Sequence, residues 1–180
     1  MSVEFTGEYI EKDGEKFPVV DVTKLDFSDA LIGVKSKLTK VYRANGGEKI
    51  TTRNENGEVE SVLVANNGDA IFFNNTNDIY IPTDSNGNRF KYSQIESYGY
   101  SIQERTADYV VVRSNNKALL LVGCVDQKCA IKNAFGDGQP QFLYEGATIK
   151  KDIKTGNISG IDKKAFESTW AILPEEKPNF

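Results

Sequence analysis

The chain has 180 residues, 39% of them hydrophobic and 27% charged, with a net charge of -4 and no histidine. That length suits one large or two small domains. The missing imidazoles exclude Ser-His-Asp and Cys-His catalysis and every histidine metal site, while scattered Lys and Arg disfavour nucleic acid as a partner. Two cysteines, Cys124 and Cys129 in GCVDQKC, are too few for a closed zinc site, so neither a metal nor a cofactor is expected and the thiols are read as reduced. No window approaches the ~20 apolar residues of a membrane span. The start MSVEFTGEYIEKDGEK lacks the basic and apolar runs of a signal peptide, so a cytoplasmic location without membrane contact is expected.

The first expected element is a hairpin, EYIEK and EKFPVV flanking Asp13-Gly14. Residues Ala30 to Ala44 are ambiguous. Leu31, Val34, Leu38 and Val41 suit a helix face, while Ile32, Val34, Leu38 and Tyr42 suit alternation, and we favour strand. Lys35, Lys37, Lys40 and Arg43 in this run read as a solvated strand face. Asn45-Gly46, Asn56-Gly57 and Asn67-Gly68 recur at an even spacing that predicts a meander of short strands. Its centre is VLVANNGDAIFF, Val62 to Phe73, read as two strands meeting at a tight turn.

DIYIP follows as a strand, then a polar loop and FKYSQIESYGYSI. Ser93 and Glu96 have capping-box spacing, which predicts a helical turn over Ser93 to Tyr98. YVVVR and ALLLVGCV read as strands joined at Ser114 to Lys117. Asp162 is placed to cap a short helix bearing Phe166 and Trp170, and PEEKPNF reads as a frayed tail. The expected fold is mainly β (α+β): antiparallel, hairpin-rich sheets in a small sandwich or barrel-like fold with one or two short helices. The expected divisions are an N-terminal hairpin over 1–29, a first β unit over 30–104, a second over 105–173, and a tail over 174–180.

The two β units echo one another. Gly68-Asp69-Ala70-Ile71, Asp78-Ile79-Tyr80-Ile81 and Gln94-Ile95-Glu96-Ser97 are answered by Gly146-Ala147-Thr148-Ile149, Asn157-Ile158-Ser159-Gly160-Ile161 and Ala165-Phe166-Glu167-Ser168. An internal duplication is therefore expected, with a pocket at the seam. The stretches Asn67 to Ile71 with Asp78 to Ile81, and Gly160 to Asp162 with Phe166 to Trp170, resemble the small PGDYG-type domains of phage and prophage proteins. Asn67 and Ala70 depart from that motif, as does Glu145-Gly146-Ala147 in the second copy. The resemblance implies a phage-like origin more than a reaction.

Candidate chemistry is sparse. Asp69, Glu96 and Glu167 are the only acids singled out for acid–base work, and for each the structural role, closing a turn or capping a helix, is favoured. Asp84-Ser85-Asn86-Gly87-Asn88 is not a calcium loop, since Arg89 stands where position six needs glycine and Ile95 where position twelve needs glutamate, and Phe135-Gly136-Asp137-Gly138 lacks the Lys-Ser/Thr of a phosphate loop. Arg89, Tyr92, Tyr98 and Tyr100, with Phe90, form the densest polar-aromatic cluster and are the candidate binding residues. The expectation is a non-enzymatic, phage-type interaction protein that engages a host protein or sequesters a small ligand, in the manner of counter-defence proteins. The alternatives are a carboxylate-dependent hydrolase or nucleotide-processing enzyme, and a virion or assembly component forming homo-oligomers.

Overall fold

The computed structural model describes residues 3–53, 57–75, 78–84, 86–134 and 138–173. The expected turn at Asn56, the loop over 135–137 and the tail over 174–180 lie outside the described residues. In chain order the strands are β1 (Phe5–Lys12), β2 (Glu15–Val20), β3 (Leu31–Lys35), β4 (Thr39–Arg43), β5 (Lys49–Arg53), β6 (Val59–Val64), β7 (Ala70–Asn75) and β8 (Asp78–Tyr80). They continue as β9 (Tyr100–Arg105), β10 (Tyr109–Ser114), β11 (Lys117–Leu121), β12 (Cys129–Ile131), β13 (Gln141–Leu143), β14 (Thr148–Asp152), β15 (Ile158–Ile161) and β16 (Trp170–Ile172). A 3-10 segment spans Tyr92–Tyr98, and α1 spans Lys163–Thr169. The fold is mainly β, as expected, and none of the described sheets closes into a barrel.

Contacts divide the chain into two units, one inserted in the other. The inserted unit runs from Ser36 to Asn115, and the outer unit holds the described chain up to and including Lys35 and from Asn116 onwards. The boundaries expected at 30 and 105 therefore shift. Strand β3 pairs with β11, and β10 pairs with β4, because these ladders join segments far apart in sequence. The run Ala30 to Ala44 is strand, but it is cut in two and shared between the units.

In the inserted unit a sheet of order β8-β7-β4-β10-β9 has one face on the hairpin β5-β6, where Ile50 and Ile71 are buried. Its other face packs the 3-10 segment through Val41, Phe72, Ile95, Val110 and Val112. In the outer unit a sheet of order β15-β14-β11-β3-β16 carries α1 over Ala118, Leu120 and Ile161. Its second face shares a core of Leu121, Cys129, Ile131, Leu143 and Ile149 with the sheet β1-β2-β12-β13.

These two five-stranded sheets follow one plan. Each opens with a strand (β4, β11), makes a hairpin (β5-β6, β12-β13), turns at a glycine, and runs a second hairpin (β7-β8, β14-β15). A short helix and an edge strand (β9, β16) then complete the series. Gly68 and Gly146 both have φ of 90°. The Gly68 amide donates to Ala44 O at 2.9 Å and the Gly146 amide to Val125 O at 2.8 Å, so the same corner is closed in both units.

That corner corrects the central hairpin and the meander. β6 pairs with β5 and β7 with β4, so Asn66 to Asp69 joins strands of different sheets. A corner and a hairpin turn both need residues tolerant of positive φ. Likewise β10 and β11 are consecutive but unpaired with one another. Among the described residues no helix is long and apolar enough to cross a membrane.

Candidate functional site

The candidate binding residues cluster in the inserted unit, but most of them build it. Phe72, on β7, meets Tyr80, Phe90 and Tyr100 at centroid distances of 5.6, 6.2 and 5.2 Å. Tyr98 stacks on Phe90 at 3.9 Å with the rings 5° from parallel. Its hydroxyl accepts from the Lys91 amide at 3.0 Å and donates to Gln94 Oε1 at 3.1 Å, which fixes the start of the 3-10 segment. The expected capping box is not formed: Lys91 stands at the N-cap and Ser93 lies inside the segment. Burial and the nearby Asp78 carboxylate push the Tyr80 hydroxyl above its ordinary range, against a hydrogen bond from Asn74.

Arg89 and Asp69 are brought together. Arg89 Nη1 lies 3.1 Å from Asp69 Oδ2 and donates to Val64 O at 2.8 Å. The same Asp69 oxygen accepts from the Asn66 amide at 2.8 Å, and its side chain is 9% exposed. The acid thus closes its own corner and holds Arg89, which supplies the missing partner for a carboxylate buried by the turn.

Tyr92 also packs, half-buried, against the core around Phe72. It lines a groove of ≈ 740 Å³ between the 3-10 segment and the β9-β10 edge of the sheet. Ile95 and Val110, both buried, and Ile102 form the floor, with Gln94, Glu96 and Arg105 about the rim. Arg105 reaches the groove through a register break. Val112 pairs with Ile102 and Val111 with Glu104, leaving Gln103 as an extra residue in β9. Side chains alternate along a strand, so in a regular, unbulged β9 the residue in line with Tyr100 and Ile102 would be Glu104. The bulge turns Arg105 inward instead, where Nη2 lies 3.6 Å from Glu96 Oε1. Sequence reasoning found Tyr92 and Glu96 but missed Ile102, Arg105 and Val110. No motif marks a bulge before the pairing is known.

The remaining candidates carry no assembled chemistry. Glu96 and Arg105 are each about two-thirds exposed, and Glu167 lies exposed on α1 of the outer unit. Asp162 is the N-cap of α1 but makes no capping hydrogen bond through its side chain, and Trp170 opens β16 rather than extending the helix. The Asp84 carboxylate accepts from the Asn86 and Asn88 amides at 2.9 Å each, a turn closing on itself. Lys40 and Arg43, read together as one face, sit at positions of opposite parity on β4. Among the described residues no three His, Cys, Asp or Glu side chains are grouped to hold a metal. Cys124 and Cys129 are free and buried. Burial, the neighbouring Cys124 and Asp126 push the Cys129 thiol up to about 12.

No family model, curated protein or solved structure matches the chain.

Proposed function

We propose that the protein works by binding, and that the groove beside Tyr92 receives a segment of a partner protein. The observation that carries this reading is the bulge at Gln103, which turns Arg105 onto Glu96 at the groove mouth. Bulges concentrate where a strand must re-aim a side chain for function. An apolar floor with a few polar groups at its rim is the usual build of a recognition site. The rim carboxylate of Glu96 would repel phosphate, which favours a protein over nucleic acid. A volume of ≈ 740 Å³ also accommodates a small molecule, so ligand sequestration is the second reading.

The setting we propose is that of a phage or mobile element, with a host protein as partner and the host cytoplasm as the place of action. It rests on the resemblance carried by Asn67 to Ile71 and Phe166 to Trp170. Tagged protein, with Tyr92→Ala and Arg105→Glu variants, would be used to capture partners from the producing host. Loss of a specific partner in both variants, at unchanged far-UV circular dichroism, supports the reading. Retention of the whole partner set by both would defeat it. Activity abolished by Asp69→Asn or Glu167→Gln at intact stability would favour the enzyme instead.

A further inference from the structure

We infer that the partner enters the groove as an extended strand, added to the edge of β9 with an apolar side chain on the floor and a carboxylate on Arg105. This rests on the groove being the binding site. The edge supplies the first ground. β9 pairs with β10 and with no other described strand. The Asn115 amide donates to Gly99 O at 2.7 Å. Bonded pairs alternate along an antiparallel ladder, so Ser101 bonds back towards β10 while the amide of Ile102 points outward. An outward row of backbone donors and acceptors is what a peptide strand needs to join a sheet.

The second ground is side-chain direction. Ile102 lines the groove, so a strand laid beside it would present every second side chain to Ile95, Ile102 and Val110. Charge is the third. Arg105 meets Glu96 at 3.6 Å and is two-thirds exposed. A guanidinium has five donors, so Arg105 has capacity for a second carboxylate while Glu96 stays in place. Proteins commonly guard sheet edges with charge. On β9 the charged residues Glu104 and Arg105 both follow the bulge, and Ser101-Ile102 before it is uncharged.

The test uses the full chain and a fluorescein-labelled peptide, acetyl-Thr-Val-Thr-Ile-Thr-Glu-Thr-amide, which places Val, Ile and Glu on one face. Binding is read by anisotropy and by amide shifts at Ile102. Two further peptides are N-methylated at alternate residues, one at the odd positions and one at the even. Strand addition predicts that one of the two sets weakens binding by about tenfold or more, because it removes the donors facing β9. It also predicts that Glu→Lys in the peptide weakens binding and that Arg105→Glu in the protein restores it. Equal binding of both N-methylated peptides would overturn strand addition, as would no peptide binding at all. The groove reading survives either result if partner capture still depends on Tyr92. A dimer in solution that protects the Ile102 amide from exchange would assign the edge to a second copy and would likewise overturn the proposal.

Discussion

Replacing Asp69 separates a structural acid from a chemical one. Asp69→Ala removes the acceptor held by the Asn66 amide at 2.8 Å and the partner of Arg89 at 3.1 Å. Asn66 is exposed and the bond part-buried, so loss of the acceptor costs the low end of the range for an unsatisfied donor, about 1 kcal/mol. The ion pair adds about 1 kcal/mol after discounting for an Arg89 side chain that is one-third exposed. The expected loss is therefore about 2 kcal/mol. Asp69→Asn keeps an acceptor for Asn66 and should lose only about 1 kcal/mol. The corner itself needs no carboxylate, because Ala147 occupies the matching place in the outer unit, its carbonyl accepting from Val125 as Asp69 O does from Ala44. Urea titration followed by circular dichroism gives the totals, and hydrogen exchange at the Ala44 and Gly68 amides localises them. An Asp69→Ala variant within about 0.5 kcal/mol of the parent, or equal to Asp69→Asn, would refute the reasoning.

Gly68→Ala and Gly146→Ala should each cost about 1 kcal/mol or more, since both positions have φ of 90°; thermal melts showing neither destabilised would remove the common corner. Phe90→Ala should cost about 2–3 kcal/mol by unstacking Tyr98, whereas Tyr98→Phe, which keeps the stack and loses two exposed hydrogen bonds, should cost under about 1 kcal/mol by urea titration. The folded Cys129 thiol holds its proton more tightly than the unfolded one, with its value at about 12 against 9.0. Its contribution to stability is thus intact below pH 9.0 and is lost as pH rises towards about 12, which thiolate absorbance of folded and urea-unfolded protein would show.

Local features were legible in the sequence where one residue type admits one conformation. Asp13-Gly14 closes the first hairpin with φ of 52° and 78°, and Gly68 and Gly146 mark the two corners. Pairing was not legible, since Asn66 to Asp69 has the same composition whether β6 turns back on itself or departs for another sheet. The insertion was hidden for a related reason. β3 and β4 are separated only by Ser36 to Leu38, and only partners far along the chain, β11 and β10, reveal that the chain changes units there. The aromatic cluster was found, but its allocation was not: packing on Phe72 claims Phe90 and Tyr100, stacking on Phe90 claims Tyr98, and Tyr92 is shared between that core and the groove.

The repeated plan sharpens what is specific to the groove. In the inserted unit the chain runs from β4 through β9 and ends at β10, which pairs with β4. In the outer unit the strand in that last position is β3, which comes first in the chain and pairs with β11. The outer unit is the same series in cyclic order, so each shared feature is explained by the plan and needs no appeal to function. Tyr100 opens β9 as Trp170 opens β16, and Ile102 follows as Ile172 does. What the plan leaves unexplained is the extra residue Gln103 in β9, the stacked Phe90 and Tyr98, and the Arg89–Asp69 clamp where the outer unit has Ala147. Of these, the bulge places Arg105 on the groove, the stacked pair packs against the core beneath the 3-10 segment, and the clamp holds the Asn66 to Asp69 corner to Val64. Folding requirements common to both units account for the sheet, and of the additions found in the inserted unit the bulge in β9 is the one that shapes the proposed groove.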